Sequence, residues 1–390
     1  MNILFYRYNS ICEPAFISLF KAIGITVIED TTEMTDKTAS ASDLVHRVSN
    51  TLSKNNFLFV MSINFFPALS SVCNIFKIPY VSIVVDCPVW ELYSDEIKNP
   101  INRIFIFDKY QYNIFYPMNK QGVFHLPLCT DNITFSKVIN SANTDMKKKY
   151  SCDISFIGSL YSEICMYNIS KNISSYNKRY IDAIIKIYTG LFGINNISEC
   201  LSDDVVNNIL SELDIPDFSA GTNIDFKEYI ADTLIGTKIS ETDRILVLKE
   251  LSETYGFNID LYTGSDTPML PKIKNRGLAK SLTEMPLIFN QSKINLNITS
   301  KSIKTGISQR VFDVLACRGF LISNYQEELF EYFTPGEDLE IFSSIEELND
   351  KIKYYLTHEE ERTAIADHGY NTILKYHSVE MRVKDILNHI

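Results

Sequence analysis

The sequence predicts an α/β protein with two doubly wound parallel sheets. Three observations carry that expectation. Short continuous apolar runs recur between helical stretches, the pattern of parallel strands buried on both faces. The alternation occupies residues 1–130 and restarts at 153, which describes two sheets, the first wound with right-handed crossovers. Several runs of the second set end in Gly-Ser or in a glycine-containing polar loop, as strands do at a ligand-binding edge.

In the first region, residues 2–6 read as a strand, 14–23 as a helix and 25–28 as a second strand. A polar helix over 40–52 follows. Residues 57–61, 80–85 and 104–107 are further strands, and 123–128 is the last. Residues 135–150 are polar, end in a lysine run and read as a linker. In the second region, 153–157 runs into Gly158 and Ser159, and 258–263 into Gly264 and Ser265. Residues 294–297, 319–323 and 340–342 supply three more strands. About 90 residues, 165–255, separate the first two of these strands, far more than a usual α/β connection. They read as a helical insertion, either for recognition and self-association or as an embellishment without a site. Residues 344–356, 359–376 and 379–390 read as closing helices.

Composition narrows the function classes. With 45% hydrophobic and 22% charged residues the chain can build large cores. Its net charge of −11 argues against a general nucleic-acid binder, whose affinity comes from neutralising phosphates. Eight cysteines are scattered singly, without a Cys-x-x-Cys pair or zinc-finger spacing to the histidines, so they predict a reduced, cytoplasmic protein without a metal. No apolar run is long enough to span a bilayer.

The richest stretch is INLNITSKSIKTGISQRVFDVLACRGF. A strand ending at Asn297 gives way to a loop with Lys304, Thr305, Gly306, Ile307 and Ser308, then to a helix with Arg310 and Asp313. Lys293, Lys301, Lys304, Arg310 and Arg318 fall within 26 residues that contain one acid, Asp313. Glycine allows close backbone approach, and a helix start near Ser308 would favour an anion. Arg310 could grip phosphate oxygens with two N–H groups. The alternative is a solvated loop with Ser308 as a helix cap. Asp313, in an apolar helix, needs donors. Ribose hydroxyls would supply them, or an i,i+3 pair with Arg310 would. Gly158, Ser159, Gly264 and Ser265 mark the same sheet edge. In the first region Asp86 follows a strand in VVDCPVW, as a general base facing a cleft or as a cap before Pro88. Asn64 is a comparable candidate for holding a sugar. Trp90 and His125 read as packing residues.

The stretches DISFIGSLY, NIDLYTGS, MPLIFNQSKINLN, GISQRVFDVLACRGFLISNYQEELFEYF and HEEERTAIADHGYNTI resemble the C-terminal domain of GT-B glycosyltransferases. They are most similar to the spore-maturation-type branch of the group-1 superfamily. Residues 1–135, with NFFPALSSVCNIFKIPYVSIVVDCPVWELYSDEI, resemble the domain fused to it. The resemblance implies two Rossmann-like domains facing a cleft, an acceptor domain over 1–135 and a nucleotide-sugar domain over 150–376. It also implies a closing helix, 377–390, packed back on the first domain. It implies a UDP-sugar donor, no metal, and a protein or polysaccharide acceptor such as flagellin, a spore component or another surface component. Relatives carry two acids eight residues apart. Asp313 matches the second, which holds the donor ribose, and Thr305 stands where the first would contact the transferred sugar. Sugar-nucleotide epimerisation or hydrolysis, or non-catalytic binding in surface assembly, are the alternatives. Oligomerisation would run through the helical insertion.

Overall fold

The computed structural model describes residues 1–36, 38, 40–170, 172–213 and 223–390. They divide into two compact units, one of 1–131, 223–224 and 376–390, the other of 132–213 and 225–375.

The first unit is a parallel sheet of six strands: β1 (Asn2–Tyr6), β2 (Thr26–Asp30), β3 (Val60–Ile63), β4 (Tyr80–Val84), β5 (Asn102–Ile106) and β6 (Val123–His125). Their order is β2-β1-β3-β4-β5-β6. The chain first winds one way, from β1 to β2, then returns to place β3 on the other side of β1. The topological switch point therefore lies between β1 and β3. Ile3, Phe5, Met61, Val81 and Phe105 form one core face, and Val379, Val383 and Ile386 of the C-terminal helix Val379–Leu387 close it. Arg382 fastens that helix by donating to the carbonyls of Pro127 and Leu128.

The second unit is also a six-stranded parallel sheet: β7 (Cys152–Ile157), β8 (Ile259–Tyr262), β9 (Lys274–Asn275), β10 (Ser292–Asn297), β11 (Leu321–Asn324) and β12 (Glu340–Phe342). The order β12-β11-β10-β7-β8-β9 puts its switch point between β7 and β10. Ile154 pairs in register with both Ile259 and Ile294, which centres the core on these three strands.

Three expectations change. Residues 135–150 are not a linker but lie in two helices, Asn132–Ser141 and Thr144–Tyr150. Two aromatic anchors decide this, because Phe135 and Tyr150 are buried while the residues around them are exposed or half-buried. The stretch 165–255 is only partly an insertion. Its last helix, Thr237–Lys249, is the crossover that leads to β8, and Val247, Leu248 and Leu251 enter the sheet's core. The helices Ser175–Tyr188 and Asp203–Glu212 precede it; positions 214–222 of the expected insertion lie outside the described residues. The edge strand β9 was not expected, since both its residues are exposed and carry no apolar pattern. Among the described residues no helix is long and apolar enough to cross a membrane.

Candidate functional site

The loop from β10 to the helix Gln309–Ala316 is built from its own polar groups. Asn297, at the strand end, donates to the Thr299 and Ser323 hydroxyls at 3.0 and 2.9 Å and accepts from Ser308 Oγ at 3.3 Å. The Asn324 side chain accepts the Thr299 N–H at 2.7 Å, and Gln326 donates to the Gly306 carbonyl at 3.2 Å. Thr305 donates its hydroxyl to Glu328 Oε1 at 2.7 Å, so an acid from the segment after β11 reaches this position. Ile307 is buried as an apolar anchor. Because Ser308 Oγ turns toward Asn297, no side chain caps the first turn of the helix. The alternative reading of Ser308 as an ordinary cap therefore fails.

The expected cationic patch also fails, and for one reason: each lysine meets an acid that is remote in sequence. Lys293 lies 2.7 Å from Asp153. Lys301 is buried, donates to the Leu191 carbonyl and lies 3.9 Å from Asp243. Lys304, expected on phosphate, is buried between Asp232 Oδ1 at 2.5 Å and Glu228 Oε2 at 3.6 Å. Arg318 pairs with Asp367 at 2.5 Å. Burial pushes the Asp243 carboxyl up to about 6 and pushes the Lys301 ammonium down. Asp232 comes from a π-helical stretch, Ile230–Gly236, directly before the crossover helix. Lys301 and Lys304 thus lock the loop to the helical layer and are not aimed at a ligand.

Arg310 keeps a half-buried side chain. It lies over the Phe289 ring at 5.3 Å and 3.7 Å from Asp313 Oδ2. Asp313 is 4% exposed and also accepts from Gln309 Nε2 at 2.9 Å. The i,i+3 pair considered from the sequence is therefore present, and it presents carboxylate and guanidinium together.

Sequence reasoning missed Arg244. It is 8% exposed and comes from the crossover helix. Its Nε and Nη2 donate to the Ile298 carbonyl at 3.2 and 2.7 Å, and its Nη1 donates to the Ser159 carbonyl at 2.5 Å. It stacks on the Tyr161 ring at 4.4 Å, a residue held at φ 67. Ser159 follows β7 and Ile298 follows β10, so Arg244 bridges the two strand ends that flank the switch point. Among the described residues no carboxylate forms an ion pair with it. Arg244 also repels Arg310, whose guanidinium burial pushes down and Asp313 holds up. The missed signal lay in DRILVLKEL. Positions 244, 247, 248 and 251 share one helix face, and an arginine stands at the head of an apolar stripe.

The two Gly-Ser turns behave differently from expectation. A Cβ on Gly158 would meet Phe156 and Arg244 at ordinary contact distances, and on Gly264 it would press Leu278 at 3.2 Å. Ser159 Oγ accepts the Tyr161 N–H at 2.8 Å. Ser265 accepts from the Leu160 N–H and donates to Glu163, both at 3.0 Å. These hydroxyls satisfy the turns themselves, the usual work of serine there. Gly158, Ser159, Arg244, Arg310 and Asp313 belong to one neighbourhood of the second unit; Asp86 belongs to the first. There it is exposed and accepts from Asn64 Nδ2 at 2.6 Å. Trp90 stacks on Tyr93 and His125 bonds the Phe107 carbonyl, both as packing residues.

No curated protein sequence is significantly similar to the chain. Solved structures are similar in fold. A glycosyltransferase from Rickettsia africae ESF-5 is 11% identical with a TM-score of 0.55, covering 99% of this chain and 97% of its own. HepE of Anabaena in complex with UDP-glucose is 10% identical with a TM-score of 0.55, covering 100% and 98%. A sucrose-phosphate synthase of Thermosynechococcus elongatus is 8% identical with a TM-score of 0.58, also covering 100% and 98%. Residues 244–388 match the family described as glycosyl transferase-like, and that match begins at Arg244. The chain thus has the GT-B fold, and its residues 244–388 are similar to the glycosyl transferase-like family.

Proposed function

We propose that the chain moves a sugar from a nucleotide-sugar donor, UDP-linked by default, to a hydroxyl of a protein or glycan acceptor. One observation carries the reading. At the switch point of the second sheet two guanidinium groups, Arg244 and Arg310, lie close enough to repel each other, with Asp313 3.7 Å from Arg310. Arginine stays charged even when buried, so two of them in a region of low dielectric favour an anion between them. A nucleoside diphosphate meets that demand. The UDP-glucose bound by HepE and by T4 phage BGT supports the choice.

In this reading the Gln309–Ala316 helix start and the two arginines stabilise charge that develops on the departing diphosphate. That is the work a metal does in other transferases, and a metal-independent reaction is proposed on this ground. Asp313 accepts from the ribose hydroxyls once Arg310 turns to the phosphates. Glu328, held by Thr305, brings a carboxylate beside the position expected to face the transferred sugar. Asp86 accepts the proton of the acceptor hydroxyl. The spore-maturation-type branch, with a surface protein or polysaccharide as acceptor, fits the motifs best.

UDP at 100 times its dissociation constant should add about 2.7 kcal/mol of stability, a shift of about 3 °C for a chain of this size. Asp313→Ala should abolish the shift while still melting cooperatively. A shift of wild-type size in that variant would remove Asp313 from the site. Radiolabelled UDP-glucose then separates the activities: labelled acceptor means transfer, and free labelled sugar without labelled acceptor means hydrolysis.

A further inference from the structure

The first sheet has its own switch point, between β1 and β3. Ligands of open parallel sheets sit outside the carboxyl ends of strands at such points. Tyr8 follows β1, Asn64 follows β3 and Asp86 follows β4. Asn64 has φ 57, the left-handed region that costs a non-glycine residue about 1–2 kcal/mol.

That conformation is held from behind. The Asn64 N–H donates to the Ile83 carbonyl at 2.7 Å, and its own carbonyl accepts from buried Ser62 Oγ at 2.7 Å. Ser62 lies 2.6 Å from the hydroxyl of fully buried Tyr80, which accepts the Phe66 N–H at 2.9 Å. In front, Asn64 Oδ1 accepts the backbone N–H groups of Val85 at 2.9 Å and Asp86 at 3.3 Å. Those two donors decide which end of the amide is oxygen. Nδ2 then donates to Tyr8 OH at 2.9 Å and to Asp86 Oδ2 at 2.6 Å. Every polar atom of the amide is used, and one oxygen of Asp86 is fixed. Its other oxygen, Oδ1, has no hydrogen-bond partner among the described residues, and the side chain is exposed. A strained residue, backed by two buried hydroxyls, that ties the ends of β1 and β4 together and orients an exposed carboxylate is an expensive arrangement for a mere turn. Strain of this kind collects at functional sites.

We propose that Asn64 is a positioning residue that aims Asp86 Oδ1 at the hydroxyl of a neutral, polyhydroxylated acceptor. The proposal rests on the transferase reading above. In the step, the acceptor oxygen bonds to the anomeric carbon as the bond from that carbon to the diphosphate oxygen breaks. The electron pair leaves with the diphosphate, and the acceptor proton passes to Asp86 Oδ1. A free carboxylate oxygen suits a neutral hydroxyl and repels an anionic acceptor.

Asn64→Gly tests this, because glycine keeps the left-handed backbone and removes only the amide. UDP release from UDP-glucose would be followed with a panel of p-nitrophenyl glycosides as acceptors. The variant should melt within a few degrees of wild type, keep the KM for UDP-glucose, and lose kcat at least about tenfold, within the roughly 100- to 10,000-fold worth of a positioned base. Asp86→Asn should lose more. The double variant should be no slower than Asp86→Asn alone, because Asn64 acts only through Asp86. Wild-type kcat in Asn64→Gly, or losses that multiply in the double variant, would overturn the inference while leaving the transferase reading intact. A wild-type chain that binds UDP-glucose yet releases no UDP with any acceptor would overturn both.

Discussion

Replacing Arg244 with methionine should weaken UDP binding about a hundredfold, close to 2.7 kcal/mol at 1.4 kcal/mol per decade. The guanidinium is nearly buried, and its hydrogen bonds end on two backbone carbonyls at the switch point. Carbonyl oxygens offset part of the cost of burying the cation, and a diphosphate would add an anion in direct contact with it. Methionine keeps the length and packing against Tyr161 while removing charge and donors. Lysine should recover only part of the loss, since a single ammonium cannot hold both carbonyls and a phosphate as a planar fork does. Titration calorimetry with UDP measures the effect directly. An unchanged dissociation constant in the methionine variant would make Arg244 a purely structural clamp between β7 and β10.

Lys304→Met is expected to produce the largest loss of stability in the chain, about 3–5 kcal/mol. The lysine is buried between Asp232 and Glu228, and Ser198 donates to the second of these at 2.6 Å. Removing the cation takes the positive charge from between two nearly buried carboxylates. Replacing a whole buried ion pair with apolar groups is far gentler than removing one partner, so adding Asp232→Leu should recover much of the loss. Urea unfolding reads both variants, with the midpoint falling in the first and rising again in the second. A loss below about 1 kcal/mol would mean that Lys304 is solvated, the alternative the sequence left open.

That contrast explains what was legible beforehand. Strand alternation follows from burial on both faces, so nearly every strand could be read, and the order of strand, loop and helix from Asn297 to Asp313 with it. The fate of the lysines could not be read. Their partners, Asp153, Glu228, Asp232 and Asp243, lie between 58 and 140 residues upstream, where local composition carries no information. Arg244 was hidden because the stretch around it has the length and polarity of an insertion, although its apolar stripe belongs to the core beneath the sheet. The supposed linker misled for the opposite reason. Two buried aromatic residues outweigh a polar surface once neighbouring helices can cover them. Asn64 and Asp86 were visible as candidates, but their bond depends on a left-handed backbone that no local sequence rule demanded.

The most direct measurement is a crystal structure of the chain with UDP. The diphosphate should lie within hydrogen-bond distance of both Arg244 and Arg310, at the carboxyl ends of β7 and β10. The ribose should rest on Asp313, with the 3.7 Å contact between Arg310 and Asp313 opened. UDP bound away from that edge, with this ion pair still closed, would contradict the account.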